Sequence, residues 1–333
     1  MKAVKLLGNC KAEMVDRSMP EVPCGYALIK VAMCGICSTD IGLYFKDNKP
    51  LEHTPGHEIV GTIAEINGET GLKTGQRVLL NLHVTCEKCK YCKEGLRIFC
   101  SELKCLGTDL DGGAAEYLAM PFGNLTIIPD DISFEEAILI TDVFGTPFNA
   151  VKKAKIGKCE KIAVIGAGSV GVLCCLCASY FGGDVMVMDL DKSRQKLALE
   201  FGAKQAVSPF NDDFDKYVSD FTDGEGFDTI FDCSGSNAGF LLGLKLVRIR
   251  GRQIQLGVVP NASLNLYEDL IMKEITLIGS RGYVDDQVDE MIDLIRDTPR
   301  IGELVTHKFP LEKAQEAFDT ANSLAGFKVA LVP

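Results

Sequence analysis

The sequence predicts an α/β protein in which a mainly antiparallel, strand-rich region gives way to a doubly wound parallel sheet. Three observations carry this. Up to about residue 140 the chain is dense in short alternating apolar runs, such as Ala27-Leu28-Ile29-Lys30-Val31 and Arg77-Val78-Leu79-Leu80, separated by Gly, Asn and Pro. From about residue 160, buried apolar strands alternate with helical stretches, the pattern of a parallel sheet covered on both faces. A glycine-rich turn, Gly166-Ala167-Gly168-Ser169-Val170-Gly171, sits where the first of those strands meets its helix. A length of 333 residues suits two domains at about 100–200 residues each. With 47% hydrophobic and 24% charged residues the composition is globular rather than disordered or fibrous.

Taken in order, Asn67-Gly68 marks a turn among the early strands. In the second region strands are expected at 161–165, 184–188, 227–233 and 253–256, with helices at 169–181 and 192–201. The chain then returns to a helix at 285–296 and ends in a strand at 328–332. No internal repeat or low-complexity linker interrupts it.

The turn at 166–171 is a G-x-G-x-x-G between a strand and a helix, where backbone N–H groups and the positive helix end meet a pyrophosphate. Asp189 follows Gly166 by 23 residues, at the end of the next strand. A carboxylate there accepts both ribose hydroxyls and repels a 2'-phosphate, so the Rossmann half is expected to bind NAD rather than NADP through Gly166, Gly168, Ser169, Val170, Gly171 and Asp189. Asp191 is a neighbouring competitor for the ribose.

Cys86, Cys89, Cys92 and Cys100 form a Cys-x2-Cys-x2-Cys-x7-Cys run that brings four thiolates within reach of one tetrahedral structural zinc. Two disulfides are the alternative, but they would crowd so short a segment. Upstream, Cys34-Gly35-Ile36-Cys37-Ser38-Thr39-Asp40 and Gly56-His57-Glu58 bring a second set of zinc-type donors. A catalytic zinc needs three protein ligands and an open position, so a third must come from elsewhere. Taken singly, Cys37 and His57 could equally be a buried thiol and a core histidine. The other nine cysteines read as small core residues kept reduced.

A net charge of -11 and the lack of any basic run argue against a nucleic-acid partner. The greasiest stretch, 171–183, is too short to cross a bilayer, and the opening residues lack a signal peptide's apolar run, so a cytoplasmic protein without membrane contacts is expected.

The four-cysteine lobe, Gly56-His57-Glu58-Ile59-Val60-Gly61, Gly-Ala-Gly-Ser-Val-Gly with Asp189, and Gly257-Val258 together resemble the zinc-dependent medium-chain alcohol dehydrogenases over nearly the whole chain. The resemblance implies a GroES-like catalytic domain of residues 1–142 plus 278–333, with the zinc lobe at about 84–105, interrupted by a Rossmann NAD-binding domain of residues 143–277. It implies Asp142 as third ligand beside Cys37 and His57, and prefers Cys37 over Cys34. Glu58 becomes an adjacent or exchanging ligand, Asp40 the acid behind the imidazole, and Thr39 the hydroxyl that takes the substrate proton. Thr146 would lie at the nicotinamide, Lys328 near the pyrophosphate and Arg194 at the adenosine ribose, with Val258 as a further cofactor contact.

The implied reaction is hydride transfer between an alcohol and NAD, with two zinc ions per chain and a homodimer or homotetramer as the assembly. The segment 279–285 resembles secondary-alcohol, diol and polyol members, so secondary alcohols, diols, polyols and threonine are the expected substrates. A quinone or enone reductase and a non-enzymatic dinucleotide-binding redox sensor are the alternatives. Two departures stand out. Gly42 replaces a histidine that many relatives use to pass the proton outward, leaving water or His53 for that task. Asn67 replaces a usual glycine, with little effect expected because Asn tolerates a left-handed backbone.

Overall fold

In a computed structural model, which describes residues 1–46, 49–323 and 326–333, the chain divides into two units: Met1–Asp142 with Val284–Pro333, and Val143–Tyr283. Return to the first unit comes after Tyr283 rather than at 278. The reason is local: the strand Thr276–Gly279 pairs with Val247–Gln255, and Asn149 Nδ2 donates to the carbonyls of Arg281 (3.3 Å) and Gly282 (2.7 Å), holding this stretch to the second unit.

The second unit is a six-stranded parallel sheet. Its strands, in spatial order, are Gln205–Val207, Asp184–Met188, Lys161–Ile165, Phe227–Asp232, Val247–Gln255 and Thr276–Gly279. Chain order therefore reverses direction between Lys161–Ile165 and Phe227–Asp232, the switch point at which such sheets bind dinucleotides. Ile162, Val164, Val185 and Val187 are fully buried on one face, and Ala163, Ile165, Met186 and Met188 pack with Val207, Phe214 and Phe227 on the other. Burial on both faces is why these strands read as continuous apolar runs. The strands expected at 161–165 and 184–188 match in full, and the helices Ser169–Tyr180 and Lys192–Glu200 each end one residue early. Two short strands, Gln205–Val207 and Thr276–Gly279, and two helices, Phe214–Thr222 and Asn237–Leu246, are additions to the elements the sequence pattern predicts. The helix expected at 285–296 opens as a 3-10 turn, Asp285–Gln287, before its α-helical part, Val288–Arg296.

The first unit is built on a seven-stranded sheet whose main path runs Val305–Pro310, Lys328–Val332, Tyr26–Ile36, Glu58–Asn67, Arg77–Leu80 and Leu125–Ile127, with Tyr117–Pro121 branching from Tyr26–Ile36. Its core includes Ile29, Ile59, Ile63, Leu80, Tyr44, Phe318 and Leu331, each at 1% exposure or less, and each such apolar side chain contributes about 1.5–3 kcal/mol. Asn67 ends its strand in extended backbone while Gly68 takes the positive φ of +128°, so the left-handed tolerance invoked for Asn67 is not what the turn uses. Of the nine cysteines expected in the core, Cys34, Cys174, Cys175 and Cys177 are buried, but Cys10, Cys24 and Cys159 are exposed. Cys10 and Cys159 sit in tight turns at φ +58° and +62°. No helix among the described residues is long and apolar enough to cross a membrane.

Candidate metal centres and dinucleotide turn

Antiparallel register brings the first donor set together. Tyr26–Ile36 pairs with Glu58–Asn67 so that Gly35 lies opposite Glu58, which leaves Cys37 and His57 side by side just beyond the last paired residues. On the other side of Tyr26–Ile36, Ile36 lies opposite Val329, which brings Lys328 to the same end. Asp142 arrives separately, at the end of the helix Phe134–Ile140, whose start is fixed by a reciprocal cap between Ser133 and Glu136. Cys37 Sγ is 3.4 Å from Asp142 Oδ2, and His57 Nε2 is 3.6 Å from the same oxygen. Cys37, His57, Glu58 and Asp142 each offer a donor atom within 4.8 Å of the others. Ligands on a tetrahedral zinc stand about 3.3–3.8 Å apart, so the donor set fits that ion. Cys34, the alternative sulfur, is buried beneath Gly56 and is not among these donors.

Asp40 ties the two ligand segments together. Its Oδ2 accepts from Cys37 N at 2.9 Å and its Oδ1 from Gly56 N at 3.3 Å, while His57 Nδ1 stands 3.7 Å from Oδ1. Burial alone would lower the His57 pKa, but the Asp40 and Asp142 carboxylates hold it well above its usual value. Burial likewise works to raise Asp142, yet the close approach and charge of His57 and the charge of Lys328 bring it down to about 2. The Cys37 thiol is pushed up, first by burial and then by Asp142. The sulfur and imidazole are thus biased toward their protonated forms, and a cation binding them must displace those protons.

One of these donors, Glu58, belongs to a buried ion pair that the sequence does not reveal. Lys328 Nζ is 2.6 Å from both carboxylate oxygens of Glu58, with its hydrogen bond aimed at Oε1, and the two side chains are 5% and 0% exposed. The expectation for Lys328 is a pyrophosphate contact; in this structure its charge is committed to Glu58 and Ile36 O instead. Burial raises the Glu58 pKa even with the ammonium beside it. Gly35 makes room: a Cβ there would stand 2.0 Å from Glu58 Oε2. The glycine inside Cys34-Gly35-Ile36-Cys37 was a visible signal for this, but its meaning needs the cross-strand partner.

Thr39 is exposed, with Oγ1 3.9 Å from Cys37 Sγ. A Cβ on Gly42 would meet nothing within 4 Å among the described residues. His53 stands with Nδ1 3.8 Å from Asp111 Oδ1.

The four-cysteine lobe is a separate construction. His83–Val84 and Lys104–Cys105 pair antiparallel at its base. Cys86 and Cys100 approach to 3.5 Å between sulfurs, as do Cys89 and Cys92, and all four sulfurs lie within 4.8 Å of one another. All four are free thiols rather than two disulfides. Cys100 Sγ accepts N–H groups from Cys86 at 3.4 Å and Glu102 at 3.3 Å. Hydrogen bonds from the backbone of Cys92 and Ser101 lower the Cys89 thiol to about 6, while burial and the neighbouring Cys89 push Cys92 up to about 11. Arg97 fastens the lobe, donating to Thr85 Oγ1 (3.1 Å), Gly123 O (2.8 Å) and Asp285 Oδ2 (3.0 Å).

In the second unit, Gly166 adopts φ +90°, and a Cβ on it would stand 2.8 Å from Ser234 Cα; one on Gly171 would stand 1.8 Å from Gly166 O. Gly166 and Gly171 are thus required by the close packing of the turn, whereas Gly168 faces open space. The helix Ser169–Tyr180 has no side-chain cap at Gly168, and its positive end favours an anion there. Asp189 is anchored to the turn, its Oδ2 accepting from Ala167 N at 2.6 Å and its Oδ1 from Asp191 N at 2.8 Å. Asp191 caps the helix Lys192–Glu200 through Ser193 N and Arg194 N. The Arg194 side chain is half-buried, Thr146 lies in the helix Gly145–Ala154, and Val258 is 85% exposed.

Residues 24–130 match the alcohol dehydrogenase GroES-like domain, and residues 169–297 match the zinc-binding dehydrogenase family. The L-threonine 3-dehydrogenase of Chromobacterium violaceum is 32% identical, the alignment covering 98% of this chain and 99% of that protein. The chain belongs to the family of zinc-dependent medium-chain alcohol dehydrogenases. The D-arabitol-phosphate dehydrogenase of Enterococcus avium is 32% identical over 94% of this chain and 91% of its own. Among solved structures, alcohol dehydrogenase TADH from Thermus sp. ATN1 superposes with a TM-score of 0.91 at 26% identity, covering 100% of this chain and 99% of that one. Accordingly the chain is an oxidoreductase that transfers a hydride between an alcohol and NAD and requires zinc.

Proposed function

We propose that Cys37, His57 and Asp142 hold the catalytic zinc, that the Cys86–Cys89–Cys92–Cys100 quartet holds a structural one, and that the substrate is a small secondary alcohol of the hydroxy-amino-acid or polyol class. The observation that carries this is the meeting of a sulfur, an imidazole nitrogen and a carboxylate oxygen at 3.4–3.6 Å around Asp142 Oδ2. Zinc held there supplies a Lewis acid that lowers the pKa of an alcohol hydroxyl, and NAD supplies the hydride acceptor. The residues of the chain do the rest. Asp40 holds both ligand segments in place, and the Lys328–Glu58 pair keeps a carboxylate in reserve beside the ligands. Thr39 Oγ1 takes the proton from the substrate hydroxyl and passes it to water through the space beside Gly42. Gly166, Gly168 and Gly171 bring the backbone against the pyrophosphate, and Asp189 accepts the ribose hydroxyls, with Arg194, Thr146 and Val258 as further cofactor contacts.

Similarity to a threonine and an arabitol-phosphate dehydrogenase supports the substrate class. Zinc analysis combined with NAD reduction across threonine, diols, polyols and simple primary alcohols tests it. Two zinc per chain with turnover of a secondary alcohol is expected; one zinc with activity confined to enones or quinones would defeat the reading. An unchanged pH–rate profile in His53→Ala would exclude His53 from the proton path. Self-association is supported by the strand Thr276–Gly279, which pairs on one side alone among the described residues and exposes Leu277, and sedimentation would measure it.

A further inference from the structure

His57 is carried by a segment, 54–57, with neither helix nor strand, yet Thr54, Pro55, Gly56 and His57 are all buried. Buried backbone polar groups must find partners, and one neighbouring segment supplies them for the carbonyls of 54–56. Gly112 N donates to Thr54 O at 2.7 Å, Ala114 N to Pro55 O at 3.0 Å and Gly113 N to Gly56 O at 2.9 Å. The approach is as close as backbone allows: a Cβ on Gly112 would stand 2.0 Å from Gly56 O, and one on Gly113 2.4 Å from Ile59 Cγ1. A side chain completes the strap. Asp111 Oδ1 accepts from Thr54 N at 2.7 Å and from Arg17 Nη1 at 2.8 Å, and the same Arg17 nitrogen donates to Thr54 Oγ1 at 2.7 Å.

The imidazole itself is loosely directed from its far side, since Nδ1 stands 3.7 Å from Asp40, beyond hydrogen-bond distance. Its position must therefore come chiefly from the backbone that carries it. We propose that Asp111 is a positioning residue for the metal centre: through Thr54 N it locks the 112–114 strap against 54–57, and so sets how tightly Cys37, His57 and Asp142 grip their ion. The proposal rests on the reading of that cluster as the catalytic zinc site. Asp111 touches none of the ligands and its side chain is 48% exposed, so as a mere surface ion-pair partner it would leave metal affinity unmoved.

The test is release of zinc from the purified protein into a chromogenic chelator, with the four-cysteine lobe as internal reference. Asp111→Ala should weaken the cluster zinc about tenfold or more while the lobe zinc is unchanged, the scale on which outer partners of metal ligands act. Asp111→Asn, which keeps the accepting oxygen, should stay within about threefold of the parent protein. Exchange of cobalt into the cluster should give a visible band that shifts in Asp111→Ala and not in Asp111→Asn. Unchanged zinc affinity and cobalt spectrum in a folded Asp111→Ala would overturn the proposal. If circular dichroism shows that this variant does not fold, Arg17→Gln decides: a smaller loss in the same direction supports the role, and none overturns it. A parent protein that holds lobe zinc alone would overturn the underlying cluster reading, and this proposal with it.

Discussion

Between Cys86 and Cys100 the chain buries one residue, Ile98, whereas around Cys37 and His57 lie Asp40, Glu58 and Lys328, each at 4% exposure or less. Both regions gather metal donors at similar spacing, 3.5 Å between sulfurs in one and 3.4–3.6 Å between mixed atoms in the other. They do so by opposite means. The lobe has almost no core, so on the proposed reading its fold would come from the ion, as in small metal-organised modules. The cluster is shaped by a sheet that is already packed, so its fold should survive metal loss while its chemistry does not. On the proposed reading a metal is scaffold in one region and reagent in the other.

The sharpest way to break this contrast is to remove one ligand from each region. Asp142→Ala should lower kcat/KM by about a thousandfold, as expected for losing several kcal/mol of metal assistance, with zinc falling from two per chain to one and the melting temperature nearly unchanged. Steady-state kinetics with metal analysis checks it; retained activity would remove Asp142 from the ligand set. Cys89→Ser should also lose one zinc, but its main effect should be cleavage by trypsin within residues 86–100, where Lys88, Lys90, Lys93 and Arg97 lie, at least about tenfold faster than in the parent. An intact lobe with activity as low as that of Asp142→Ala would reverse the proposed roles.

Next in size is the pair behind the cluster. Lys328→Met leaves the Glu58 carboxylate buried without its ammonium and should cost about 3–5 kcal/mol in urea denaturation, much of it recovered in the double variant with Glu58→Gln. A loss below about 1 kcal/mol would mean that Glu58 finds another partner. The smallest effect is expected from Arg97→Leu, which removes the hydrogen bonds anchoring the lobe and should cost about 1–3 kcal/mol, seen first as faster exchange of amides in residues 85–100.

Legibility in the sequence followed distance along the chain. The cysteine quartet, the turn at 166–171 and the strands Lys161–Ile165 and Asp184–Met188 are local patterns, and spacing alone exposed them. Gln205–Val207 and Thr276–Gly279 were missed because three or four residues are too few to show a period, and Thr276–Gly279, at the sheet edge, has mostly exposed side chains. The helix Asn237–Leu246 carries two glycines, which mask a helical reading. Asp142 was reached through resemblance to a family, since nothing near it in the chain marks it as a ligand.

By itself the sequence determined the four-cysteine cluster, the glycine turn at 166–171 and the parallel-sheet half, because each rests on contacts between near neighbours. Tertiary structure alone decided that Gly35 must be a glycine to admit Glu58, that Lys328 neutralises that carboxylate, and that the segments around 54–57 and 112–114 lock together. Such facts depend on which strand lies opposite which, and register is set by the burial of whole faces, a property no single stretch of residues contains.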